Sequence, residues 1–150
     1  MPVLGFSFAK QQVRWTLIDG QKSTPVFVEK DKLEYGAGLS PAEISVWLKR
    51  NLSEVITRTK PNLACYRLAW SYQTQAQSYS LVYPCAILEI VCHDTNVPCK
   101  GFGYQALTAK ALDFPKGVDV TAHCTALLGA HPPYWDNQQI NSALAAIAGM

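Results

Sequence analysis

The stretch Val3-Leu4-Gly5-Phe6-Ser7-Phe8-Ala9-Lys10-Gln11-Gln12-Val13-Arg14-Trp15-Thr16-Leu17-Ile18 reads as two apolar runs joined by a short polar turn. The first run, Val3 to Phe8, is apolar at nearly every position, the pattern of a strand buried on both faces. The second, Gln12 to Ile18, alternates Val13, Trp15 and Leu17 against Gln12, Arg14 and Thr16, which predicts a strand with one solvated face. Together they predict a hairpin whose inner strand lies at the centre of a sheet.

Outward from that hairpin, Thr24 to Val28 reads as a third strand, placed at an edge by Pro25, followed by a polar, glycine-bearing loop over Glu29 to Leu39. A helix begins at Ser40-Pro41-Ala42-Glu43: Ser40 can cap the free amides, Pro41 suits the first turn, and Glu43 can reach back to close a capping box. Ile44, Leu48, Leu52, Val55 and Ile56 recur at helical spacing with Trp47 beside them, giving a face to pack on the sheet. Pro61 ends the helix, and Leu63 to Leu68 follows as a short apolar strand, an order that suggests a crossover and parallel pairing.

Gln73 to Val91 reads as a helix with a buried second half and a kink or break at Pro84. Beyond it the pattern predicts a short strand over Asn96 to Lys100, a short helix over Tyr104 to Leu112 and another over Val118 to Leu128. Asp136-Asn137-Gln138-Gln139 opens a last helix with Ile140, Ala143, Leu144 and Ile147 on one face. The expected class is α/β, a mixed sheet of three antiparallel strands then parallel strands, flanked by helices.

With 150 residues, 49% of them apolar, the chain is expected to form one domain able to bury a core without metal or disulfide staples. A net charge of +2 does not by itself establish nucleic-acid binding, but it is unevenly spread. Through Arg67 there are ten Lys/Arg against six Asp/Glu, and afterwards three against five. Nothing resembles a signal peptide or an apolar span of membrane length, so a cytoplasmic location without membrane contact is the default expectation. The five cysteines, Cys65, Cys85, Cys92, Cys99 and Cys124, are odd in number and sit mostly in apolar segments, as reduced buried thiols would.

The order of elements resembles the RuvC-like branch of the ribonuclease H-like fold. The matching motifs are Val3-Leu4-Gly5-Phe6-Ser7 for the opening strand, Thr59-Lys60-Pro61-Asn62 before the later strand, and Ser142-Ala143-Leu144-Ala145-Ala146 in the final helix. The resemblance implies two-metal hydrolysis of a phosphodiester by clustered carboxylates. Carried over residue by residue, the acidic positions fall on Ser7, on or beside Arg67 (Leu68 being the neighbour), and on Gln139 and Ser142. None is a carboxylate, and divalent cations want charged oxygen ligands. Hence no metal cofactor is expected, and the leading expectation is a RuvC-like domain without metal catalysis that binds DNA or RNA, or a protein partner.

Two other readings stay open: a divergent nuclease using Asp19, Asp113, Asp119 or Asp136, and a self-associating scaffold, because apolar content this high can leave a sticky face. Asp136 is more simply an N-cap with Gln139 in the box position. Cys92-His93 with Cys99, and His123-Cys124, have zinc-type donors without zinc-type spacing. Arg14, Lys49, Arg50, Arg58 and Arg67 with Trp15, Trp47, Trp70 and Tyr72 could form a basic, aromatic groove. Trp15 and Trp47 are expected in the core, which leaves Arg14, Arg67, Trp70 and Tyr72 as the candidate ligand contacts.

Overall fold

In the computed structural model, which describes residues 1–68 and 74–150, β1 (Val3–Ala9) pairs antiparallel with β2 (Gln12–Gln21) from Val3 opposite Ile18 to Ala9 opposite Gln12. β3 (Thr24–Glu34) adds antiparallel to β2, while β4 (Leu63–Arg67) lies parallel to β1 on its other side and β5 (Cys99–Phe102) parallel to β4. The sheet order is β3-β2-β1-β4-β5, so the sequence's first strand is central, as expected. The helices are α1 (Pro41–Thr59), α2 (Gln75–Gln77), α3 (Tyr83–Asp94), α4 (Val120–Leu128) and α5 (Asn137–Gly149).

Side-chain alternation along β1 sends Leu4, Phe6 and Phe8 to one face, where α1 and α3 cover them, and Val3, Gly5 and Ser7 to the other, where α5 lies. Gly5 permits that second layer. A Cβ there would stand 1.9 Å from the Ser142 carbonyl oxygen, so α5 rests directly on the β1 backbone.

The start of α1 follows its sequence signals: Ser40 Oγ accepts from the Glu43 N–H at 3.2 Å, and Glu43 Oε2 accepts from the Ser40 N–H at 2.7 Å. At its other end Lys60 takes the left-handed conformation just before Pro61, and its N–H closes onto the Ile56 carbonyl.

Several expectations are corrected. β2 has no solvated face from Val13 to Ile18: Arg14 is 5% exposed and Thr16 fully buried, because α5 covers them. β3 continues through Glu29–Glu34, where the start of a polar, glycine-bearing loop over Glu29 to Leu39 was expected. As the sheet's edge strand it can carry charge and still fill the β2 hydrogen-bond ladder; the register shifts once, at Leu17/Ile18. The helix predicted over Gln73 to Val91 is three pieces, with a π-helical turn (Ser78–Val82) between α2 and α3, and it ends later, at Asp94. Pro84 falls in the first turn of α3, where its missing N–H costs nothing. The last edge strand is Cys99–Phe102 instead of Asn96 to Lys100. Tyr104 to Leu112 forms only a single 3₁₀ turn (Tyr104–Ala106) followed by turns, with Leu107 and Leu112 as separate buried anchors instead of one helical face.

Candidate functional site

Because β1 and β4 run parallel, their C-terminal ends stand side by side, and the N-terminus of α5 arrives above them. Three local features put side chains there. Ser7 is on the α5 side of β1, Arg67 is the last residue of β4, and Asp136 caps α5 by accepting the Gln139 N–H at 3.0 Å. The cap fixes the start of the helix and so decides which of its residues look down into the opening.

Those residues are Gln138 and Asn141. Ser7 Oγ donates to Gln138 Oε1 at 2.9 Å, and Arg67 Nη1 donates to Asn141 Oδ1 at 3.2 Å. Arg67 also donates from Nε and Nη2 to the Tyr104 carbonyl, at 2.9 and 2.6 Å, with its guanidinium carbon 4.3 Å from the centre of the Tyr104 ring. Ser7, Arg67, Gln138, Asn141, Tyr104 and Leu81 line a cleft of about 170 Å³. A guanidinium has five N–H groups, so three donations leave Arg67 with others to offer.

Gln139 and Ser142, the helix positions carried over from the family pattern, lie outside this cleft. Both are fully buried. Gln139 Nε2 donates to the Trp15 carbonyl at 2.7 Å and to Thr16 Oγ1 at 2.8 Å, and the Ser142 and Thr16 hydroxyls share a 2.6 Å hydrogen bond. They form a polar seam between α5 and β2. The two pairs, 138 with 141 and 139 with 142, have the same i, i+3 spacing and differ by one residue, so sequence spacing alone could not choose between them.

Arg14 is likewise committed. Its Nη2 meets Asp136 Oδ2 at 2.9 Å, Nε meets Gln12 Oε1 at 2.8 Å and Nη1 reaches the Tyr134 carbonyl at 3.3 Å. Burial pushes the Asp136 carboxyl up, but the Gln139 amide and the Arg14 guanidinium outweigh it and hold the group below its ordinary value. Trp70 and Tyr72 lie outside the described residues. Lys49 and Arg50 are exposed on α1, and Arg58 sits over the Trp15 ring and pairs with Glu29, so these cations are on the sheet face opposite Arg14 and Arg67 and do not join them in one groove.

Among the described residues no group of three His, Cys, Asp or Glu side chains converges to hold a metal ion, and residues 69–73 read Ala-Trp-Ser-Tyr-Gln. Among the described residues no carboxylate lines the cleft. Two neutral amides, a hydroxyl and a guanidinium do not fit a pair of divalent cations: the oxygens carry no charge, and Arg67 repels the ions. The other acids have separate tasks. Asp19 takes the N-terminal ammonium at 2.8 Å, Asp119 caps α4 through the Ala122 N–H, and Asp113 stands in a left-handed turn. Of the zinc-type donors, Cys92 and Cys99 come together as hydrogen-bonded thiols in the α1/α3 layer, but among the described residues no third donor joins them: Cys124 belongs to the α5 layer, His123 packs on Phe114 and His93 is exposed. Burial pushes the Cys65, Cys85 and Cys124 thiols up to about 12.

No protein-family model and no curated protein matches the sequence. Solved structures do match the fold. RuvC of Thermus thermophilus, in complex with a Holliday junction substrate, superposes with a TM-score of 0.79 at 13% identity, over 99% of this chain and 91% of that one. The yeast mitochondrial Holliday junction resolvase gives 0.71 at 9% identity, over 97% and 76%, and the fowlpox virus resolvase 0.56 at 10%, over 99% and 94%. The fold is the ribonuclease H-like architecture in its RuvC form, as the opening-strand, turn and final-helix motifs implied.

Proposed function

We propose that this chain is a RuvC-like domain that binds nucleic acid, and branched or single-stranded DNA or RNA in particular, without cutting it. The observation that carries the reading is the composition of the cleft. At the carboxyl ends of two parallel strands, where open α/β sheets receive ligands, it offers the Arg67 guanidinium, the Gln138 and Asn141 amides and the Ser7 hydroxyl, and no acid.

Such a set suits a phosphodiester. A guanidinium supplies charge-assisted donors to phosphate oxygens, amides and hydroxyls add neutral ones, and the first turn of α5 adds its partial positive charge. Hydrolysis is a separate matter. It needs an activated water and stabilisation of the leaving oxygen, and the side chains of the cleft supply no general base of suitable strength. Two resolvase structures of this fold are complexes with junction DNA, which supports a nucleic-acid ligand here.

Gel-shift and cleavage assays on four-way-junction, single-stranded and duplex probes, run over a salt series with magnesium, manganese or EDTA, test the proposal. It predicts shifts that persist in EDTA, weaken steeply with salt and leave every strand intact. Metal-dependent nicking would revive the nuclease alternative, and no shift at low salt would leave a protein-interaction role. For self-association, the supporting feature is an apolar strip at the start of α1, where exposed Leu39, just before the helix, and exposed Val46 flank half-buried Trp47. A strict monomer in light scattering would end that second reading.

A further inference from the structure

Two side chains of the apolar layer hold chemistry that the cleft does not use. Cys92 lies in the last turn of α3 and is 1% exposed, while Cys99 opens β5, the outer strand of the sheet, and is half-buried. The chain between them turns back on itself at Asn96, which takes the left-handed conformation. Hydrogen bonds tie this turn at both ends: the Cys92 carbonyl accepts the Val97 N–H at 2.9 Å, and the Pro98 carbonyl accepts the Ala64 N–H at 2.9 Å. Cys99 stands beside Ala64 in the β4–β5 register, and Ala64 faces α1 and α3, so the Cys99 side chain points to the same layer. There its thiol donates to the Cys92 sulfur.

The other three thiols are placed differently. Cys65 and Cys124 pack on the α5 side of the sheet, and Cys85 donates to the Leu81 carbonyl at 3.4 Å. Burial keeps each of the three a protonated thiol. Within the pair, the hydrogen bond from Cys99 holds the Cys92 thiol below its ordinary value in spite of burial, and the same bond, with burial, pushes Cys99 up. Thiolate character therefore gathers at Cys92, with a proton donor against it, and Cys99 at the sheet edge is the member that solvent reaches. A thiolate, an approach from solvent and a second sulfur to resolve the product are what distinguish an oxidisable thiol from an inert buried one.

We propose that Cys92 and Cys99 form a peroxide-oxidisable dithiol, whose disulfide clasps the C-terminal turn of α3 to the edge strand β5. The Cys92 thiolate attacks one oxygen of the peroxide and the O–O bond breaks. Cys99 gives its proton to the departing oxygen, which leaves as water, and Cys92 becomes a sulfenic acid. The Cys99 thiolate then attacks Cys92 Sγ, the S–O bond breaks, and the expelled hydroxide takes up the proton that Cys92 had lost to solvent. Two thiols and one hydrogen peroxide thus give one disulfide and two waters, the sulfurs losing two electrons and the peroxide gaining them. The clasp bears on the cleft, because β5 leads through Gly103 to Tyr104, whose carbonyl holds Arg67. Nothing in this chemistry depends on what the cleft binds.

The test exposes the folded wild-type chain to about 1 mM hydrogen peroxide, alkylates the remaining thiols and cuts the chain after Glu and Asp without reduction. Cleavage after Glu89, Asp94 and Asp113 separates the two sulfurs from each other and from Cys85. The expected product is residues 90–94 joined to residues 95–113, formed at least about tenfold faster than any oxidation at Cys65, Cys85 or Cys124 and undone by dithiothreitol. The joined protein should melt about 5 °C higher than the reduced one. Cys99→Ser keeps a hydrogen-bond donor beside Cys92 but removes the resolving sulfur, so peroxide should add oxygen to Cys92 and join nothing. Should that variant fail to fold, the wild-type peptide map decides alone. Two peptides that stay separate, or join no faster than the other thiols oxidise, would overturn the dithiol assignment. Joining without a rise in melting temperature would overturn the clasp.

Discussion

The two faces of the sheet are built on different chemistry. Under α1 and α3 the layer is hydrocarbon: Leu4, Phe6, Phe8, Val13, Trp15 and Leu17 meet Leu48, Leu52, Ile56 and Leu88. Under α5 the same two strands present Gly5, Ser7, Arg14 and Thr16, and the helix answers with Gln138, Gln139, Asn141 and Ser142. Both layers gain stability from area removed from water, the α5 side through Val3, Ile18, Ile140, Leu144 and Ile147. The α5 side also buries polar groups that are tolerable only when paired, and it is the one that opens into the cleft. Buried polar pairing and ligand chemistry thus fall on one side of β1.

Substitutions can break that division. Phe6→Ala, at a fully buried ring of the apolar layer, should cost about 3–5 kcal/mol in chemical denaturation, with the surviving folded fraction still binding nucleic acid as wild type does. Gln139→Leu keeps roughly the same volume but deprives the Trp15 carbonyl and the Thr16 hydroxyl of a donor; we expect a loss of about 1–3 kcal/mol in the same measurement. Asp136→Asn keeps a capping side chain while removing the negative partner of Arg14, and should cost about 1 kcal/mol at neutral pH.

That last variant also carries a pH signature. Because the Asp136 carboxyl is held below its ordinary value in the fold, its contribution is present above the unfolded pKa of about 4 and is lost as pH falls through the lower folded value. The acid limb of a thermal-melt series should therefore be shallower in Asp136→Asn than in wild type. Arg67→Gln sharpens the contrast from the other side. At a half-buried cleft residue it should change stability by less than about 1 kcal/mol, yet weaken binding about tenfold. Equal losses of stability and affinity would erase the distinction between the layers.

Much of this arrangement is legible in the sequence because local signals determine it. The largely apolar Val3 to Phe8 run, the Ser40–Glu43 capping box and the Pro61 stop are each decided within a few residues, and the structure has them where the pattern put them. What is hidden depends on partners far along the chain. Arg14 and Thr16 read as solvent-facing because they are polar, and only a helix some 120 residues later supplies the Asp136, Gln139 and Ser142 groups that let them be buried. Glu29–Glu34 looked like loop because charge is depleted from most strands, but an edge strand tolerates it. At the cleft, Ser7 and Arg67 (or its neighbour Leu68) came from positions carried over with the family resemblance. Gln138 and Asn141 could not be told from Gln139 and Ser142, since α5 is buried nearly all round and has no plain polar face to mark the side that opens.

The absence of charged oxygen around Ser7 is the point on which the functional reading turns, and a manganese titration of the wild-type protein followed by electron paramagnetic resonance addresses it without reference to any substrate. The spectrum should remain that of free aqueous ion up to ~1 mM, beyond the range of a site built from charged ligands. Two ions held per chain, with a signal that disappears in Asp136→Ala, would contradict the account.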